Sequence, residues 1–263
     1  MYVSNKNIDD YEKNGAIVLR SIFTEWIEIL SAGIDKLMSD PSPRERSYNP
    51  EDGSAPFFQD LCNWNRFEEF DSFIKKSPLG EIAAKLMKSK KSRFFHDHVL
   101  VKEQGSSIVT PWHQDQPYYC VNGKDNCSFW IPLDPIQKNV CPEFICGSHK
   151  WNKQFIPTKF KGYSYTKQDD EFEKIPDIDN NRENYKIVSW ILDPGDVIAF
   201  NFSTVHGAPG NNSNNRRRAF SARFIGSDAT FIKRKGETSP PFPEIELKDG
   251  DKMDSPTFPI VLK

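Results

Sequence analysis

The stretch Pro194-Gly-Asp-Val-Ile-Ala-Phe-Asn-Phe-Ser-Thr-Val-His206-Gly-Ala-Pro-Gly210 holds a turn, an apolar run and a presented side chain in quick succession. Pro-Gly-Asp is turn chemistry, and the run Val197–Phe202 that it feeds has the make-up of a buried strand. His206 lies just beyond, followed by glycine-rich backbone, which is a good way to hold a histidine at the rim of a barrel. Outward from this point the same grammar recurs. From Arg93 onward the chain breaks into short β-like runs separated by turns: Phe94–Lys102, Cys127–Leu133, Glu143–Cys146, Ile187–Leu192 and Ala219–Ile225. Several short strands after a helical opening predict an α+β chain built on a sandwich or barrel.

The opening third reads helical. Asp9 with Glu12 forms a capping-box pattern, and Gly15 stops that helix before the strand-like run Ala16–Leu19. Thr24 can cap a second helix whose Ile27, Leu30, Ile34 and Leu37 share one face. Residues 39–56 are rich in Pro, Ser, Asp and Gly and read as loop. Two further helices are expected, one carrying Phe67, Phe70 and Ile74, the other opening at Ser77-Pro78. Residues 150–185 are charged and loop-like, and long loops in compact domains tend to be functional lids or disordered. The expected organisation is a single domain, with a helical part over about 1–92, a β core over about 93–226 and a C-terminal extension over 227–263.

The bulk properties narrow the field. The 263 residues carry a net charge of -2 and are 37% hydrophobic, a water-soluble composition with no global footprint for nucleic acid or an anionic membrane. No run of about 18 apolar residues could span a bilayer. The polar start, Met1 to Asn14, resembles neither a secretory signal nor a transit peptide. Cys62, Cys120, Cys127, Cys141 and Cys146 are odd in number and lack a Cys-x-x-Cys, so they read as reduced thiols of a cytoplasmic protein. The basic patch Lys233-Arg234-Lys235 reads as a solvated loop.

The chemistry concentrates in three places. In Thr110-Pro-Trp-His-Gln-Asp-Gln-Pro-Tyr-Tyr119, His113 and Asp115 stand two apart, and an extended backbone would point both to one face. An imidazole and a carboxylate on one face suit a divalent first-row metal, and His206 can supply a third ligand. Two histidines and one carboxylate on one side of a metal leave positions open, the arrangement of non-heme iron oxygenases. The third place is Arg216-Arg217-Arg218, which leads into a strand. Alternation sends Arg217 to one face and its neighbours to the other; the neighbours read as solvated. A guanidinium inside a barrel is costly unless it meets an anion, and a carboxylate matches its planar fork.

In the order His113-x-Asp115, His206-Gly and Arg217, the chain resembles the phytanoyl-CoA dioxygenase family of iron(II)/2-oxoglutarate oxygenases. Phe129-Trp130-Ile-Pro-Leu-Asp134 and Glu143-Phe-Ile-Cys-Gly-Ser-His149-Lys-Trp151 extend the likeness, which covers roughly residues 9–226. The resemblance implies a double-stranded β-helix (jelly-roll, cupin-like) core with N-terminal helices packed outside. It implies iron(II) held by His113, Asp115 and His206, with 2-oxoglutarate and O₂ as co-substrates. Arg217 would take the far carboxylate of 2-oxoglutarate and Trp130 would line its pocket. Lys102 and His98 would point at co-substrate or substrate. The expected reaction is hydroxylation of a small organic metabolite with release of succinate and CO₂. Halogenating relatives replace the carboxylate ligand with a small residue, so Asp115 favours hydroxylation. One departure is Ala208, where relatives often carry a small hydroxyl residue two positions after the distal histidine.

Gln116, Tyr118 and Tyr119 follow the metal motif and are candidates to line the substrate pocket. His149 reads as a turn residue, His96 as a structural histidine and Trp112 as core. Two other classes stay open on sequence: a metal-binding jelly roll without oxygenase chemistry, such as a zinc hydrolase or binding module, and a non-catalytic sandwich.

Overall fold

A computed structural model describes residues 2–158 and 172–262. In chain order the elements are α1 (Asn5–Asn14), β1 (Ala16–Leu19), α2 (Ile27–Ser39), β2 (Phe57–Leu61), α3 (Glu68–Lys76), α4 (Leu79–Met87) and β3 (Ser92–Lys102). There follow β4 (Thr110–His113), β5 (Val121–Asn122), β6 (Asn126–Pro132), β7 (Glu143–Ile145), β8 (Ile187–Val188) and β9 (Val197–Phe200). The last are β10 (His206–Ala208), β11 (Arg217–Ile225), β12 (Thr230–Phe231) and β13 (Ile260–Leu262).

Helix α1 starts earlier than the Asp9/Glu12 pattern predicts. Ser4 is its cap: the Asn7 N–H donates to the Ser4 side chain and the Ser4 N–H to the Asn7 side chain, a reciprocal box without a glutamate. Gly15 ends it at φ +76°, and a Cβ there would lie 2.3 Å from His149 Nδ1, so the turn requires glycine twice over. Thr24 opens a 3₁₀ turn ahead of α2 and makes no side-chain capping bond. In α2 the buried stripe is Leu30, Gly33, Ile34 and Leu37, three of the four expected positions plus a glycine. Strand β2 was not foreseen, and Ile187–Leu192 shortens to the two residues of β8. Of the expected 150–185 loop, residues 159–171 lie outside the described residues.

Seven strands form one sheet in the order β1-β9-β6-β11-β3-β13, with β2 also on β3; β4-β10-β7-β8 form a second. All named pairs are antiparallel. The outer face of the large sheet (Val99, Val101, Phe129, Phe220, Phe224) packs with Leu30, Ile34, Phe70, Phe73 and Ile82 of the helices in one buried cluster. Phe220 meets Phe70 at a ring separation of 4.9 Å. The inner face meets the small sheet through Trp130, Ile198, Phe200 and Phe144, with Phe144 and Phe200 rings 5.0 Å apart. Two facing antiparallel sheets with helices on one outer side make the sandwich.

The C-terminal segment returns to this body. Strand β12 pairs with β5 and β13 with β3, and Met253 and Phe258 join a buried cluster with Phe95, Tyr119 and Phe202. Within the basic patch Arg234 is half-buried, and it donates to the carbonyls of Tyr119 (2.9 Å) and Gln116 (3.0 Å). This corrects the reading of that patch as a solvated loop: its middle residue fastens the C-terminal segment to the turn after His113. No helix among the described residues is long and apolar enough to cross a membrane.

Candidate metal centre

Strands β4 and β10 pair with His206 directly opposite His113, so one ladder brings two residues distant in sequence into contact, with ring centroids 4.2 Å apart. Gly207 permits this approach, because a Cβ there would lie 3.1 Å from the Thr110 carbonyl. Strand β4 ends at His113. Asp115 has helical φ/ψ at the head of a 3₁₀ turn, Gln116–Tyr118, so a turn and not an extended strand carries its carboxylate back to the imidazoles. Asp115 Oδ1 lies 3.7 Å from His113 Nε2 and 3.9 Å from His206 Nε2. All three ligand atoms fall within 4.8 Å of one another, close enough for one cation to touch each.

The donor set fits such an ion. His113 Nδ1 is 2.8 Å from the Pro111 carbonyl and His206 Nδ1 is 2.9 Å from that of Thr204. A ring nitrogen facing a carbonyl must carry the proton, which leaves each Nε2 lone pair free. Burial, then His113, lowers His206 to about 3, so it stays an unprotonated donor. Burial alone would push Asp115 up; the Arg223 guanidinium, both imidazoles and the Ser128 hydroxyl reverse that and hold its carboxyl well below the usual range. Ser128 donates to Asp115 Oδ2 at 3.0 Å, leaving Oδ1 for a metal. Phe144 stacks against His206 at 5.5 Å.

The three ligands line a cavity of about 180 Å³. Its floor is the inner face of β2, β3 and β11. Alternation turns His96, His98, Leu100 and Lys102 of β3 inward, against Arg223, Ser221, Ala219 and Arg217 of β11 in register. At one end Arg217, 6% exposed, donates to the Val140 carbonyl, with Pro209 O at 3.5 Å. Beside it Lys102, 1% exposed, donates to the carbonyls of Ile108 (2.6 Å) and Pro209 (3.0 Å) and to the Thr110 hydroxyl (3.3 Å). Burial lowers Arg217 to about 10; burial and the Arg217 charge together lower Lys102 to about 6. Among the described residues neither forms an ion pair. Arg216 and Arg218 face away and pair with Glu103 and Asp134, so they are ion-paired where solvation was expected.

Trp130, Lys102, His98, Tyr118 and Tyr119 all line the cavity. Gln116 does not. Its amide donates to the Val121 carbonyl and its side-chain oxygen accepts from Asn126, so it braces the turn; the helical backbone after His113 ends the alternation that would have aimed it inward. His96, expected as a structural histidine, lines the cavity with its Nε2 unpartnered among the described residues, and Ser128, Ser221 and Arg223 are cavity or support residues beyond the expected set. The signal for Arg223 was its even spacing from Arg217 on one strand.

The model of the phytanoyl-CoA dioxygenase (PhyH) family matches residues 11–219. A curated relative, dioxygenase lolE1 of Epichloe uncinata, is 30% identical over 163 residues, 60% of this chain; the matched part spans 57% of that relative. Among solved structures, the alpha-ketoglutarate-dependent carbocyclase SnoK from nogalamycin biosynthesis aligns with a TM-score of 0.74 at 20% identity, covering 98% of this chain and 96% of its own. The epimerase SnoN in complex with Fe3+, alpha-ketoglutarate and nogalamycin RO gives 0.76 at 17%, covering 97% and 96%. EctD from S. alaskensis with 2-oxoglutarate and 5-hydroxyectoine gives 0.68 at 18%, covering 95% and 85%. At these identities the structures establish a shared fold, while the family match reaches from Tyr11 on α1 to Ala219 on β11 and takes in all three candidate ligands. The chain is therefore a member of the phytanoyl-CoA dioxygenase family.

Proposed function

We propose that the chain is an iron(II)- and 2-oxoglutarate-dependent dioxygenase that hydroxylates a small organic metabolite and releases succinate and CO₂. The observation that carries this reading is the pairing, in one cavity, of a three-ligand metal set with the buried guanidinium of Arg217, which has no counter-charge among the described residues, and with Lys102 beside it, whose ammonium form burial and the Arg217 charge disfavour until an anion arrives. A buried cation without an anion is costly, and a carboxylate-bearing co-substrate removes that cost. A zinc hydrolase would have no use for it.

His113, Asp115 and His206 hold the ion, and Arg217 takes the far carboxylate of 2-oxoglutarate while Trp130 walls its pocket. Lys102 takes up a proton in the company of that carboxylate and then adds positive charge beside Arg217. Thr110, opposite Ala208 in the β4–β10 ladder and lining the cavity, carries the hydroxyl that Ala208 lacks. Iron, 2-oxoglutarate and O₂ together supply the oxidising power. The protein's share is to orient the reactants and keep water from them, the latter through the packing of Phe144 and Phe200 on His206. Asp115 occupies the position a halide would need, which favours hydroxylation. We read residues 1–263 as one working unit, because the C-terminal segment completes the cluster around Tyr119.

The test is succinate release. It should require iron(II), 2-oxoglutarate and O₂ together and vanish in a folded His206→Ala protein. Undiminished release from that variant refutes the assignment.

A further inference from the structure

Seven buried side-chain nitrogen or oxygen atoms have no hydrogen-bond partner among the described residues. Four are scattered: Ser47 Oγ, Glu69 Oε2, Ser106 Oγ and His149 Nδ1. The other three, Arg223 Nη1, His96 Nε2 and His98 Nε2, belong to residues that line the cavity beside the metal ligands. Buried polar atoms are normally satisfied, and a cluster of exceptions in one cavity marks where a ligand's polar groups belong.

The three lie together for a simple reason. Arg223 faces His96 across the β3–β11 ladder, and His98 is two residues along on the same inner face. Arg223 is 6% exposed. Its Nε donates to the Tyr119 hydroxyl at 2.7 Å and lies 3.7 Å from Asp115 Oδ2. Asp115 is the only carboxylate in ion-pair range of Arg223 among the described residues, and a metal ion would share its charge. His96 Nδ1 lies 3.2 Å from the Asp97 carbonyl, so its proton sits there and Nε2 is left as an acceptor. Burial, then the Arg223 charge, lowers the pKa of both imidazoles, His98 to about 3, which keeps them neutral. Arg217 and Arg223 are six residues apart, about 20 Å along an extended strand. That exceeds the reach of one 2-oxoglutarate molecule, so the two guanidiniums serve different anions.

We propose that Arg223, His96 and His98 form a second anion-recognising subsite, which takes the carboxylate of the primary substrate on Arg223 and a neighbouring hydroxyl or amine on the imidazoles. The substrate class is then a hydroxy or amino acid. This assignment rests on the oxygenase reading, which places iron on Asp115 and 2-oxoglutarate on Arg217.

The test uses the anaerobic protein loaded with iron(II) and 2-oxoglutarate, titrated calorimetrically with L-lactate and with lactamide. The visible charge-transfer band that forms on loading reports separately on the metal and Arg217. Its absence defeats the oxygenase reading and the subsite with it. With the band present, lactate should bind at least about tenfold more tightly than lactamide. Arg223→Gln should abolish the preference, Arg223→Lys should restore most of it, and His96→Phe should weaken lactate but not propionate. Equal binding of the two probes, no binding of either, or a preference that survives Arg223→Gln overturns the proposal. So does loss of the band in Arg223→Gln together with a lactate-blind Arg223→Lys, which would make Arg223 only a support for Asp115.

Discussion

Strands β3 and β11 present two faces made under opposite rules. Outward, Val99, Val101, Phe220, Ala222 and Phe224 are buried against the helices, and the one buried carboxylate among them on β3, Asp97, accepts from the Asn63 and Trp64 N–H groups. Inward, beside Leu100 and Ala219, the alternate residues of the same strands are His96, His98, Lys102, Arg217, Ser221 and Arg223. The outer face gains free energy by burial. The inner face gives some up, holding cations and unpaired imidazoles that a protein built for stability alone would replace. Strand alternation is what allows both to be carried by one pair of strands.

The contrast can be broken most forcefully on the outer face. Phe220→Ala should lower unfolding stability by about 3–5 kcal/mol, measured in urea, while the folded fraction keeps its 2-oxoglutarate affinity. A loss of affinity with little loss of stability would mean the faces are not separate. The inner face should answer in reverse. Arg217→Gln should weaken 2-oxoglutarate binding by about 2–5 kcal/mol, read from anaerobic titration, and leave the Tm of the apo protein unchanged or raised.

The same point can be sharpened through pH. Lys102 falls from 10.5 to about 6 in the folded chain. Between those values the unfolded chain holds the extra proton, so this group makes apo stability climb with pH, by at most about 1.4 kcal/mol per unit. Below about 6 both states are protonated and its slope vanishes. Lys102→Met should flatten the climb in urea titrations run across that range. Smallest is Thr110→Val, which should raise the KM for 2-oxoglutarate by roughly fivefold, about 1 kcal/mol for one hydrogen bond. An unchanged KM would take Thr110 out of the co-substrate site.

Much of this was legible in the residues. The period-two runs placed β3, β6, β9 and β11 within two residues of their ends, and alternation alone sorted Arg217 from Arg216 and Arg218. What failed did so where a local rule gave way to a distant contact. The α1 cap went to Ser4 because Asn7 can close a capping box as well as glutamate, and propensity alone does not choose between Ser4 and Asp9. Gln116 points away from the cavity because the chain turns helical at Asp115. Strand β2 exists because β3 offers it an edge, which Phe57–Leu61 does not reveal by itself. The even spacing of Arg217 and Arg223 puts both on one face, but the partner of Arg223, His96, follows from the ladder register, which no single-strand pattern encodes.

Both ligand histidines fix their tautomers with backbone carbonyls two residues upstream, Pro111 and Thr204. A carbonyl belongs to the chain whatever side chain it bears, so no point substitution deletes it. The proton placement at the centre is thereby insulated from sequence drift in the cavity wall. Side chains of the cavity wall such as Tyr118 can be exchanged while the imidazoles keep their lone pairs turned the same way. A fold with that insulation can diversify its chemistry without reinventing its core reaction, and the cavity wall is where directed evolution of this chain should concentrate its libraries.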